Sequence, residues 1–147
     1  MEKLVRDIVY GISLQKVIGS TEITVEALTL DSRNAGAGSL FFAVSGTRFD
    51  GHDFIADALS RGAGAYLTSR APQGRTAISV HDTGKSLLKF GEWARTRLST
   101  KLQNRVVAIT GSVGKTSTKD FVASALATAL RTHANEQSFN NDFGLPT

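Results

Sequence analysis

A chain of 147 residues suffices for one compact domain, or for a small domain joined to part of a second, and is short for a complete multi-step enzyme. Its 17 Lys and Arg against 13 Asp and Glu leave a formal charge of +4 spread along the chain, which argues against a nucleic-acid-binding tail. With 41% hydrophobic and 20% charged residues, the composition excludes a disordered chain and a membrane protein. The absence of cysteine removes disulfides, thiol nucleophiles and thiolate metal sites, and His52, His81 and His133 are too far apart for a close-spaced metal motif. Glu2, Lys3, Arg6 and Asp7 interrupt the first apolar residues, so the segment lacks a signal peptide's apolar core. A cytoplasmic protein without a membrane span is expected.

In chain order, the β-branched run Ile23 to Leu30 and the apolar run Ser39 to Val44, bounded by Asn34 to Gly38, read as strands. Phe54, Ile55, Ala58 and Leu59 follow at helical spacing and stop at Gly62 and Gly64. Ala65 to Thr68 and Ala77 to Val80 read as two further strands, separated by a turn containing Pro72. From Thr83 to Ser99, Leu87, Leu88, Trp93 and Leu98 mark the apolar side of a helix, with Trp93 assigned to the core. Lys85, Lys89, Arg95 and Arg97 are read as its solvated face. Alternating strands and helices predict an α/β domain. The polar break at Lys101 to Asn104 sets a domain boundary, giving domains 1–103 and 104–147.

Beyond it, Arg105 to Ile109 reads as a buried strand, Thr110-Gly111-Ser112-Val113-Gly114-Lys115-Thr116-Ser117 as a phosphate-binding loop, and Lys119 to Leu130 as a helix. Phe121, Val122, Ala125, Leu126 and Ala129 are its expected sheet-facing core. Glycines let backbone N–H groups turn inward around phosphate oxygens, and the positive end of the following helix adds to them. Lys115 is placed to reach the terminal phosphates of a nucleotide and the Thr116 hydroxyl to ligate Mg²⁺. The strict pattern G-x-x-x-x-G-K-[ST] would need glycine at position 109, where the chain has Ile109, and Gly111 supplies the turn instead.

This loop resembles that of the Mur ligases, ATP-dependent amide-bond-forming enzymes of peptidoglycan synthesis. Asp31-Ser32-Arg33, Gly38 to Val44, Gly46 to Ile55, Ala58 and Arg61-Gly62-Ala63 resemble the UDP-binding amino-terminal domain of the lysine-adding and dipeptide-adding members. Ser138-Phe139-Asn140-Asn141-Asp142-Phe143-Gly144-Leu145-Pro146 is similar to a segment of the dipeptide-adding member, with Ser138 where the family has asparagine. The resemblance implies a small mixed α/β UDP-binding domain over residues 1–103. Residues 104–147 would then be the first strand, P-loop and helix of a parallel-sheet ATPase domain, so the chain is expected to be an amino-terminal fragment, inactive alone. The implied reaction adds D-alanyl-D-alanine to UDP-N-acetylmuramoyl-tripeptide through an acyl phosphate, using ATP and Mg²⁺, in a monomer with no nucleic-acid partner.

The same resemblance assigns Gly111, Ser112, Val113, Gly114, Lys115, Thr116 and Ser117 to ATP, Lys115 to catalysis and Thr116 to the metal. It assigns Asp31, Ser32, Arg33, Thr47, Asn140 and Asn141 to the UDP substrate, with Arg48 and His52 as further candidates. Each assignment has a plainer counterpart: Asp31 to Arg33 also reads as a turn after a strand, and Asn140-Asn141 as a polar loop. Asp50 and Asp53 fit the N-cap and third residue of a helix. The alternatives to a dipeptide-adding ligase are a stand-alone UDP-sugar-binding module, another Mur ligase such as the one adding the third amino acid, and a P-loop kinase or nucleic-acid-dependent ATPase.

Overall fold

The computed structural model describes residues 3–5, 8, 12, 14–46, 48–103 and 105–135. Among the described residues seven strands form: β1 (Lys3–Leu4), β2 (Leu14–Ile18), β3 (Thr24–Val25), β4 (Ala27–Thr29), β5 (Ser39–Phe42), β6 (Ala65–Thr68) and β7 (Thr76–Val80). The α-helices with fully described bounds are α1 (Ile55–Ser60), α2 (Thr83–Leu102) and α3 (Lys115–Ala127). Strands β4, β5, β6 and β7 pair in parallel in that order, β2 closes the sheet antiparallel to β7, and β1 pairs antiparallel with β3. The mixed α/β class with a mainly parallel sheet is the one expected.

The apolar runs of the central strands are continuous because both faces of the sheet are covered. Leu40 and Phe42, Ala65 and Leu67, and Ile78 and Val80 enter one core with Leu87 of α2, Val5, Ile8 and Ile12. The intervening Phe41, Tyr66 and Ala77 enter a second core with Ala58 of α1 and with Ala63. Period-two alternation therefore serves two cores at once. The Tyr66 hydroxyl, deep in the second, donates to the Gln73 carbonyl at 2.6 Å and accepts from the Gln73 N–H at 2.6 Å, which fixes the β6–β7 connection.

Several expectations need correction. The run 23–30 is two strands: it breaks at Glu26, where β3 turns to β1 and β4 to β5. Strand β2, on the sheet edge, has mostly exposed side chains and gave no clear apolar alternation. Trp93 is only partly buried, packing on Phe90 with ring centroids 5.6 Å apart and under the Arg97 guanidinium. Leu88, assigned to the apolar side of α2, is exposed.

The larger differences lie after α2. Residues 105–110 take no regular structure, and Val106 and Val107 are exposed instead of buried. A strand needs a neighbour to complete its ladder, and no described strand lies beside this run. The expected core face of α3 is likewise open: no residue of that helix is buried, and Phe121 is 77% exposed. Residues 105–135 contribute nothing to either core cluster.

At Gly51 an added Cβ would lie 2.7 Å from both the N and O of Val44, main-chain atoms that cannot step aside. Gly51→Ala is expected to lower stability by about 1–3 kcal/mol, as overpacking does. Gly36→Ala, facing open space, should change it by less than about 0.5 kcal/mol. Denaturant unfolding of the two variants checks the contrast.

Candidate functional site

The four parallel strands all deliver their following loops to the same edge of the sheet. In open α/β sheets this carboxyl edge is where ligands bind. The β4 loop brings Asp31 to Arg33, the β5 loop Ser45 to Asp53, and the β6 loop Ser69 and Arg70.

Asp31 caps the short 3-10 turn Ser32–Asn34, its carboxylate accepting the Arg33 backbone N–H at 3.0 Å. The Arg33 guanidinium folds back on the same carboxylate through Nε at 2.9 Å and through Nη2, and is itself largely exposed. The bonds from Arg33 hold the Asp31 carboxyl below its ordinary pKa. Ser32 is buried, and its hydroxyl bonds Asp57 of α1, which lowers the Asp57 pKa. That bond anchors the turn to α1. Of the predicted trio, Arg33 presents its polar group to solvent.

The second cluster centres on His52, buried at 7% exposure. Its Nε2 accepts the Ser69 backbone N–H at 3.1 Å, so the ring proton sits on Nδ1, which donates to Asp50 Oδ1 at 2.6 Å. The imidazole thus spans the β5 and β6 loops. Asp50 also accepts the His52 backbone N–H at 3.0 Å and the Ser45 hydroxyl at 3.1 Å, and Arg70 closes the cluster by binding both Asp50 and Asp53. Asp50 is the N-cap expected and Asp53 the third residue of the 3-10 turn Gly51–Phe54, where it also pairs with Arg70. Sequence reasoning passed over Ser45, Ser69 and Arg70: they lie 7 to 18 residues from His52 and carry no motif. His52, a candidate ligand contact, is enclosed by these partners.

The loop Gly111 to Gly114 forms the third feature. Gly114 has φ +80°, a left-handed conformation that favours glycine, and leads into α3 without a side-chain cap. The first N–H groups of a helix have no intrahelical acceptor, so this end of α3 is an open donor cluster at the positive end of the helix dipole. Lys115 Nζ lies over the loop, bonding the carbonyls of Gly111 and Ser112. Gly111, Ser112, Val113, Thr116 and Ser117 are all exposed. A cleft of about 780 Å³ runs between Leu88, Glu92 and Arg95 of α2 and the loop, with Lys115, Thr116 and Lys119 on its far wall. Thr47, Asn140 and Asn141 lie outside the described residues.

Among the described residues, no group of three or more His, Cys, Asp or Glu side chains comes together to hold a metal, and no helix is long and apolar enough to cross a membrane.

Residues 24–86 match a family described as Mur ligase family, catalytic domain. The chain is 40% identical over 130 residues to the UDP-N-acetylmuramoyl-tripeptide–D-alanyl-D-alanine ligase of Escherichia coli, covering 85% of this chain and 27% of that protein. Among solved structures, the corresponding diaminopimelate-containing tripeptide ligase of Acinetobacter baumannii superposes with a TM-score of 0.84 at 27% identity, over 99% of this chain and 32% of the other. MurF of Thermotoga maritima in complex with ADP gives 0.63 at 32% identity, over 83% and 28%. The chain thus spans under a third of the length of these relatives.

The carboxyl of Asp50 is lowered from its ordinary 3.8 to about 2, chiefly by the backbone N–H of His52 and then by its ring N–H. A depressed folded-state pKa stabilises the fold above the unfolded value of about 4, and the contribution is lost as pH falls through about 2. Asp31 and Asp57 are shifted in the same direction. Melting temperature should therefore drop between pH 5 and pH 2, and Asp50→Asn should drop less over that range. Equal drops would contradict the assignment.

Proposed function

The chain belongs to the Mur ligase family, and from that premise we propose that it is the substrate-nucleotide and phosphate-loop portion of an ATP-dependent UDP-N-acetylmuramoyl-tripeptide–D-alanyl-D-alanine ligase. Residues 1–103 form the part that holds the UDP end of the acceptor. Residues 104–147 begin the part that holds ATP. In support of this division, both cores of the sheet are built from residues up to α2, and the residues described beyond it add nothing to them.

The reading is carried by the loop 111–114 with Lys115 over it, opening into an uncapped helix. The donor set fits a polyphosphate: backbone N–H groups, one ammonium and the exposed hydroxyls of Thr116 and Ser117. When bound there, ATP with Mg²⁺ supplies the phosphoryl group that activates a carboxylate for amide formation. Lys115 would exchange the Gly111 and Ser112 carbonyls for phosphate oxygens, neutralising charge that grows during transfer. Thr116, adjacent on the first turn, would hold the cation by its hydroxyl.

At the other site, Arg33 offers an exposed guanidinium to the diphosphate of the UDP moiety, oriented by Asp31. Ser32 is a proposed contact beside it, its hydroxyl also anchoring the turn to α1. Thr47, Asn140 and Asn141 are proposed contacts on resemblance alone. The amine to be joined is D-alanyl-D-alanine.

Two substitutions separate the sites. Lys115→Ala should weaken Mg·ATP binding by roughly tenfold or more, the scale of a lost charged hydrogen bond, and leave UDP-N-acetylmuramoyl-tripeptide binding intact. Arg33→Ala should do the reverse, again by about tenfold. Calorimetric titration of each variant with each ligand measures this, and loss of both ligands in either variant would contradict two independent sites.

A further inference from the structure

On α3 no residue is fully buried and Phe121 is 77% exposed, yet the Lys119 side chain keeps only 19% of its surface open. A lysine ordinarily leaves its ammonium in water, because ordering the long stem costs rotamer freedom and drying the charge costs solvation. Here the ammonium is held. Its Nζ donates to the Asn135 carbonyl at 2.7 Å, 16 residues on, and lies 3.2 Å from the Asp120 carboxylate, which balances the charge. Residues 131–135 take no regular structure and join no described strand, so the bond ties the helix to a stretch that has no ladder to fix it. Lys119 stands one helical turn after Lys115, which puts both on one face of α3. That face, Thr116 and Asn135 line the same cleft. The tie therefore brings the chain leaving α3 to the side of the helix that carries Lys115, and away from the side that carries Phe121.

We propose that Lys119 is a positioning residue for the terminal phosphate of the nucleotide: through the Asn135 carbonyl it fixes the chain leaving α3 as a wall beside Lys115 and Thr116, and it does not itself touch the ligand. The inference rests on the ATP reading given above and deepens it. Lys115 and Thr116 are the groups assigned to the terminal phosphates and their cation, so a wall set next to them meets that end of the nucleotide and not the base or ribose. Its contribution is preorganisation, because a wall already in place loses less conformational freedom when the ligand arrives. Two lysines on one helical face thus divide the work. Lys115 exchanges its loop carbonyls for phosphate, whereas Lys119, sheltered and paired with Asp120, stays on the main chain.

The test is titration of the 147-residue chain with Mg²⁺ and either a non-hydrolysable ATP analogue or ADP, in the wild type, Lys119→Met and Lys119→Arg. Lys119→Met keeps an apolar stem and removes the donor; it is expected to weaken the analogue about fivefold and ADP by less than about twofold. Lys119→Arg, which can still donate to a carbonyl, should return the analogue to within about twofold of wild type. The dependence of analogue affinity on ionic strength should be the same in Lys119→Met as in the wild type, since no phosphate contact has been removed. Should Lys119→Met fail to fold, Lys119→Gln, too short to reach the Asn135 carbonyl, takes its place in every comparison. If the folded wild-type chain binds neither nucleotide, the ATP reading falls and this inference with it. If the analogue binds and Lys119→Met stays within about twofold of wild type, this inference alone is overturned. Equal losses for analogue and ADP would reduce Lys119 to general support of the helix, and a flattened salt dependence would make it a phosphate ligand. Either result overturns the positioning role, as would Lys119→Arg binding no better than Lys119→Met.

Discussion

A parallel sheet cannot leave a face to water, because its crossover connections run over both faces and its strands are apolar throughout. That constraint organises the molecule. The runs 39–42 and 65–68 are entirely buried, with alternate residues feeding two cores. Once both faces are closed, polar chemistry is left only the edges, and the parallel order sends the loops after β4, β5, β6 and β7 to one of them. Arg33, the β5 loop and Arg70 are neighbours for this topological reason, although they lie far apart in sequence.

Carboxylates then decide which helical ends remain available to anions. Asp31 and Asp50 have nearly the same backbone conformation, φ −108° and −101° with ψ 116° in both, and each accepts the N–H two residues on. Each is also paired with an arginine. Asp82 caps α2 through the Lys85 N–H at 2.9 Å. An aspartate at an N-cap satisfies orphan donors and opposes a second negative charge. Helix α3 departs from this rule: Gly114 stands at its cap, its first turn carries no acid, and Lys115 adds a positive charge. The contrast within one chain separates an end used for folding from an end suited to phosphate.

Much of this was legible in the sequence, for identifiable reasons. Strands β5 and β6 declared themselves through uninterrupted apolar runs between glycines, β6 with its observed bounds. The glycine turn before α3 was legible because an apolar run, two glycines, Gly-Lys-Thr and a helical pattern occur in order. Strand β2 was not, since an edge strand with exposed side chains has no periodicity to read. The run 105–110 and the apolar stripe of α3 were read as buried because their residues are apolar, but burial depends on what lies opposite, which pattern does not report. His52 was the least legible: a lone histidine in a loop gives no hint that the Ser69 N–H will donate to it across a strand pair. Its role emerged only from the tertiary pairing of the β5 and β6 loops.

The account stands on two separate nucleotide-phosphate sites in one short chain, one at the carboxyl edge of the sheet and one at the start of α3. The most direct measurement is backbone amide chemical-shift mapping, first with UDP and then with a non-hydrolysable ATP analogue and Mg²⁺. The account predicts that UDP moves the amides around 31–33, 45–52 and 69–70 while the ATP analogue moves those of 111–118, with little overlap. Both ligands perturbing the same set, or UDP perturbing only the loop before α3, would contradict it.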